Sequence, residues 1–126
     1  MRKTVLCVSM IAVLFAAVTV ALGATAGKVT TLRVSADPFK NAYNKKALTA
    51  PAGKVSIVMA NTGFTGHNVA IRAGATGSSK IIAKGPVVLR GGTSRVTATL
   101  RKGRYRFFCS FEGHEASGMW GILTVK

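Results

Sequence analysis

The stretch Cys109-Ser110-Phe111-Glu112-Gly113-His114-Glu115-Ala116-Ser117-Gly118-Met119 constrains this chain more than any other. A thiol, an imidazole and a thioether recur in it at five-residue intervals. Forty-two residues before Cys109 stands the only other histidine, His67, in the run Gly66-His67-Asn68-Val69. These are the soft and borderline ligands that copper selects, and two His, one Cys and a weak axial Met form the ligand set of a type 1 copper centre. A fold that uses them must carry residue 67 to the loop 109–119.

The chain has few other soft ligands, with two Cys, two His and four Met in all. Cys7, Met1 and Met10 fall in an N-terminal segment that reads as a secretory signal. Residues 27–126 then hold one Cys, two His, Met59 and Met119. Met59 lies in an apolar run and reads as core filler. Taken singly, a cysteine is most often a small buried hydrophobe, and a histidine a satisfied core or surface residue. Their combination points to a metal. Cys and two His could hold zinc with an open position, but a thioether at the fourth position argues for copper.

Residues 1–26 open with Arg2 and Lys3, and Thr4 to Ala26 carry no charge. Ala24-Thr25-Ala26 fits the small-residue cleavage pattern, which makes Gly27 the first mature residue and 27–126 the working domain. The uncharged run is also long enough to span a bilayer if it is kept. Gly23, Thr25 and the many alanines favour cleavage. The expected location is therefore the periplasm, the cell surface or the exterior, with a membrane tether if the segment is retained. A lone Cys there forms no internal disulfide, and metal ligation gives an unpaired thiol a reason to persist.

About 100 residues suffice for one domain with a modest core. Short Val-, Thr-, Ile- and aromatic-rich runs alternate with Gly-containing turns, which predicts an all-β fold. Strands are expected at 28–34, 43–50, 54–60, 67–73, 86–90, 93–100, 104–109 and 122–125, with a Gly/Ser loop at 74–79. Val55, Ile57 and Met59 share one face, as do Val96, Ala98 and Leu100. This spacing suggests a two-sheet Greek-key β-sandwich.

Lys102-Gly103-Arg104-Tyr105-Arg106-Phe107-Phe108-Cys109-Ser110 resembles the strand entering the copper loop of plastocyanins, and Gly118-Met119-Trp120-Gly121-Ile122-Leu123-Thr124-Val125 the strand leaving it. Ala60 to Phe64 and His67-Asn68-Val69 resemble the loop that carries the first histidine. Over roughly residues 28–126 the chain is similar to the cupredoxins, in their small bacterial plastocyanin/azurin-like branch. Two features depart from plastocyanins. Four residues, not two, separate Cys109 from His114, and Thr65-Gly66 replaces the proline before the first histidine. In azurins a glycine carbonyl at that point lies near the copper, a role open to Gly66 here.

The resemblance implies a trigonal Cys109, His67 and His114 set with Met119 axial, and a hydrogen bond joining the loops of Asn68 and Ser110. Phe64 and Phe111 are expected to form an apolar rim around His114 where a partner docks; Trp120 can belong to the rim or to the core roof. The implied function is single-electron transfer between redox proteins outside the cytoplasm, by a monomer. Envelope copper binding or delivery is the alternative, although the Met-rich or His-rich tracts of such proteins are missing. Copper enzymes need further copper sites, and both histidines are already used.

Eighteen Lys and Arg face three acids, and removing Arg2 and Lys3 leaves sixteen against three. Such a balance often means nucleic acid, but an exported domain seldom meets it and no aromatic-interleaved basic motif is present. An acidic redox partner or an anionic membrane surface fits better. Glu112 and Glu115 lie in the loop itself, where they offset the basic field or simply face solvent.

Overall fold

The computed structural model describes residues 27–126; the expected secretory segment lies outside the described residues. Eight strands follow in order: β1 (Thr30–Ser35), β2 (Ala47–Ala50), β3 (Gly53–Ala60), β4 (Ala70–Ala73), β5 (Ile81–Lys84), β6 (Thr93–Leu100), β7 (Gly103–Phe108) and β8 (Trp120–Val125). Among the described residues there is no helix.

Strands β1-β3-β6 form one sheet and β2-β8-β7-β4-β5 the other. Only β4–β5 and β7–β8 are both consecutive in sequence and neighbours in a sheet. The other connections cross between the sheets, as a Greek-key sandwich requires. β1 runs parallel to β3, and β2 parallel to β8. The remaining pairs are antiparallel.

Alternation along the strands builds the core between the two layers. Val55, Ile57 and Met59 of β3 are fully buried, with Val96 and Leu100 of β6 beside them. From the other sheet come Ile71, Phe107, Leu123 and Val125. Burying a side chain of this size stabilises by about 1.5–3 kcal/mol. Met59 sits in this core as expected of filler. A Cβ on Gly121 would lie 2.3 Å from Phe107 Cζ, so that position across the β7–β8 pair accepts no side chain. Cys109 and Met119 belong to the same apolar cluster, at the end of the sandwich where β7 leaves and β8 returns.

Three strand expectations are corrected. Residues 81–84, not 86–90, form the edge strand. Pro86 brings no N–H to a ladder, and the following segment contributes only an isolated bridge, Val88 with His67. Likewise β4 begins at Ala70, because His67 pairs with Val88 ahead of that strand. Within 43–50 only 47–50 is strand, and Tyr43 makes a single bridge to Ala36.

Candidate metal centre

The loop between β7 and β8 is wound by its own backbone. Cys109 N–H donates to Met119 O at 3.0 Å, and Met119 N–H to His114 O at 2.9 Å. The three expected loop ligands are thus linked through two main-chain bonds. Between them His114 N–H reaches Phe111 O, Ser117 N–H reaches Gly113 O and Gly118 N–H reaches Glu115 O. Gly113 (φ 72°) and Gly118 (φ 105°) make the left-handed bends that this path needs.

His67 arrives from the turn ahead of β4. Its N–H donates to Val88 O at 3.1 Å and its O accepts from Val88 N–H at 2.9 Å. Asn61 shapes the turn before it: Nδ2 donates to Thr65 O and Val88 O, and Oδ1 accepts from Gly63 N–H. A Cβ on Gly63 would lie 2.8 Å from His67 Nε2, so the turn passes close against the ring. His67 Nε2 is 3.2 Å from Thr65 Oγ1. Placing the ring proton on Nε2 leaves the Nδ1 lone pair for a metal.

The ligand atoms meet in a small triangle. Cys109 Sγ is 3.9 Å from His67 Nδ1 and 3.6 Å from His114 Nδ1, and the two Nδ1 atoms are 3.1 Å apart. A first-row ion bound at about 2.0–2.3 Å in a trigonal plane spaces its ligands by about 3.5–3.9 Å. The two sulfur–nitrogen separations fall in that range, and the two Nδ1 atoms need only move slightly apart for the donors to take a copper ion. Cys109, His67 and His114 are 0%, 2% and 8% exposed, and Met119 is 0% exposed. Burial, with His114 as a second cause, lowers the proton affinity of His67; burial alone lowers that of His114. Both shifts favour the neutral imidazole that a metal needs. Burial raises the Cys109 thiol, opposed in part by the backbone at Asn68 and Phe111. Metal binding must therefore displace its proton.

Asn68 joins the two sources of ligands. Its Oδ1 accepts from Ser110 N–H at 2.7 Å, while Nδ2 donates to Ser110 Oγ and Gly85 O, each at 2.8 Å. Tyr43, which sequence reasoning did not single out, donates from its hydroxyl to Asn68 O at 2.6 Å and packs on Phe107. Asn61 was also missed, although Asn61-Thr62-Gly63 carries an Asx-turn signal.

Phe111 is 40% exposed, with its ring centroid 5.0 Å from that of His114. Phe64 is 67% exposed and neighbours Phe39, at 6.2 Å between centroids. Phe39 and Leu89 are exposed apolar residues that the sequence reading passed over. Gly66 is buried, and a Cβ there would touch Val87 and approach Phe111. Trp120 is not on this rim: it lies on the outer face of the five-stranded sheet, where Arg106 Cζ is 3.9 Å from its ring centroid. Glu112 is exposed at the loop tip, whereas Glu115 is ion-paired to Arg72 and Arg106.

Comparison with known proteins gives one answer. The family model for copper binding proteins of the plastocyanin/azurin family matches residues 30–126. Plastocyanin of Ginkgo biloba is 35% identical over 90 residues, covering 68% of this chain and 88% of that protein. Sodium-dithionite-reduced auracyanin from the photosynthetic bacterium Roseiflexus castenholzii superposes with a TM-score of 0.68 at 29% identity, over 79% of this chain and 99% of that one. Auracyanin A, a "blue" copper protein from the green thermophilic photosynthetic bacterium Chloroflexus aurantiacus, gives 0.67 at 26% identity, over 79% and 100%. Fold, donor set and relatives agree: the chain belongs to the plastocyanin/azurin family of copper-binding proteins, the cupredoxins.

Proposed function

We propose that residues 27–126 act outside the cytoplasm as a monomeric type 1 copper protein that carries single electrons between redox partners. The observation that carries this reading is the buried triangle of Cys109 Sγ, His67 Nδ1 and His114 Nδ1. Bound copper would supply the one-electron Cu(I)/Cu(II) couple. His67, Cys109 and His114 would hold it, with the Met119 thioether as the weaker fourth ligand. Ligands fixed by the surrounding fold limit the rearrangement that accompanies each change of charge.

The remaining residues serve that cycle. Asn68 and Ser110 fix the Cys109 loop to the His67 turn. The Gly66 carbonyl would be a further, weak donor beside the four ligands. Phe64 and Phe111 form the apolar surface beside His114 where a partner docks. The basic excess steers an acidic partner, and can hold the protein near an anionic membrane. The burial of all four ligands favours a carrier over a copper-delivery protein, which needs an exchangeable ion. No enzymatic role is proposed, since both histidines serve one centre.

Voltammetry of the copper-loaded protein with a strong Cu(I) chelator present tests the carrier role. A carrier cycles reversibly with its copper retained; loss of Cu(I) to the chelator on each reduction would support delivery instead. Partner docking is read from the bimolecular electron-transfer rate. With an acidic partner the rate falls as salt is added, because screening shortens the field to roughly 8 Å at physiological ionic strength. Phe111→Asp slows transfer even at high salt. A rate flat with salt would remove steering, and an unaffected variant would remove the rim.

A further inference from the structure

Each loop ligand has a chain neighbour in one ion network on the outer face of the five-stranded sheet. Arg72 of β4 and Arg106 of β7 stand directly opposite each other in register. Like charges so placed repel. Glu115, the residue after His114, lies between them. Its Oε2 accepts from Arg72 Nη2 at 2.9 Å, and its Oε1 accepts from Arg72 Nε and Arg106 Nη1, both at 3.1 Å. The Arg72 guanidinium lies 4.3 Å from the ring centroid of Phe108, the residue before Cys109. The Arg106 guanidinium lies 3.9 Å from that of Trp120, the residue after Met119.

The network is also tied down and covered. Arg72 Nη1 donates to Ser79 O at 2.8 Å, and Arg106 Nε to Ala75 O at 3.1 Å, so the 74–79 loop is drawn over it. The three charged side chains are only 13–19% exposed. Independently, Lys46 Nζ donates to the carbonyls of Gly118 and Trp120, on either side of Met119. A partly covered, two-pronged Arg–carboxylate pair adds directional hydrogen bonds to charge attraction and so defines a geometry. An apolar side chain in place of Glu115 would leave two opposed guanidiniums with no counter-charge.

We propose that Arg72, Glu115 and Arg106 are positioning residues that clamp the copper loop onto the sheet from outside, so that Cys109, His114 and Met119 are presented as one unit before the ion binds. The inference rests on reading those three residues as ligands. The clamp acts through Phe108, Glu115 and Trp120, and touches none of the ligand atoms itself. Its effect is to place the loop's ordering in the folding of the protein instead of in the binding of copper.

Glu115→Gln tests it, since the amide keeps the shape and removes the charge. Arg72→Lys is the second variant, which keeps the charge and loses the fork. Both are read by chelator competition for copper, by the visible spectrum of the Cu(II) form, and by amide exchange of the copper-free protein. Glu115→Gln lowers copper affinity about 10- to 100-fold, the range for residues that orient metal ligands. It also alters the relative intensities of the thiolate bands and speeds exchange at residues 113–118, leaving β3 and β6 as in wild type. Arg72→Lys gives a smaller change in the same direction, and Glu115→Asp recovers part of the loss. Ile57→Val, a core substitution far from the clamp, lowers stability without moving affinity or bands. Glu115→Gln and Arg72→Lys with wild-type affinity, bands and exchange would overturn the clamp. A wild type that binds copper without any thiolate band would overturn the ligand reading instead, and the exchange at 113–118 would then still decide the clamp.

Discussion

His67 and the loop 109–119 bring ligands to one point by different means. His67 is held from within. Its backbone pairs with Val88, and Asn61, Gly63 and Thr65 close the turn around its ring. The loop holds itself by tight main-chain turns, and its outward side chains grip the sheet surface through Glu115. The first arrangement is part of the buried scaffold; the second is local and partly at the surface. A buried scaffold resists change because each polar group already has its partner. The loop can be altered without unfolding the sandwich. The two arms should therefore differ in what a substitution disturbs: stability on the His67 side, the properties of the centre on the loop side.

Asn68 is where the arms join, and its removal should have the largest effect. Asn68→Ala leaves the part-buried Ser110 N–H and the buried Gly85 O without their partner. Each buried group left unsatisfied costs about 1–3 kcal/mol, so a loss of about 2–4 kcal/mol is expected. Urea unfolding of the copper-free protein measures it. A loss under about 0.5 kcal/mol, within the range of ordinary surface substitutions, would mean that the arms are not coupled through this residue.

Met119→Gln sharpens the loop side. A harder oxygen ligand in the axial position favours Cu(II) over Cu(I). The reduction potential should fall, by about 59 mV for each tenfold change in that preference. Stability of the copper-free fold should change less than in Asn68→Ala. An unchanged or raised potential would remove Met119 from the axial role.

The gentlest probe is pH, which acts on both arms of the copper-free protein. His67 and His114 have folded-state proton affinities below the ordinary imidazole value of 6.5. As pH falls through that value the unfolded chain takes up protons that the folded chain refuses, so stability declines on the acid side. Cys109 is shifted above the ordinary thiol value of 9.0. Above it the unfolded chain releases a proton that the folded chain keeps, so stability declines again. Melting temperature against pH should show a plateau between these limits. A stability that rises as pH drops below 6.5 would contradict the buried, neutral state of the two imidazoles.

Much of this was legible in the sequence, for physical reasons that can be named. Cys109, His114 and Met119 are close in the chain, so their meeting needs only a loop. His67 is remote, and residue type together with family likeness made it a candidate. Strand β6 carries a clear alternation of buried and exposed residues, and the structure has β3, β6 and β7 within one residue of expectation. Strand β5 was not legible: Ile81 and Ile82 are about two-fifths exposed, and its pairing with β4 is a long-range choice that composition does not encode. Glu115 was read as a solvent-facing acid or a local offset to the basic field. Arg72, one of its partners, is 43 residues away, and comes to face Arg106 only through the β4–β7 register. Trp120 was undecidable for the same reason, because its contact with Arg106 lies across two strands.

The central claim is that Cys109, His67, His114 and Met119 together hold one copper in a type 1 site. Titration of the copper-free protein with Cu(II), followed by visible absorption, tests it most directly. An intense thiolate-to-copper band should grow and stop at one equivalent, and Cys109→Ser should show none of it. A colourless wild-type complex, a band that keeps growing past one equivalent, or a band that survives in Cys109→Ser would contradict the account.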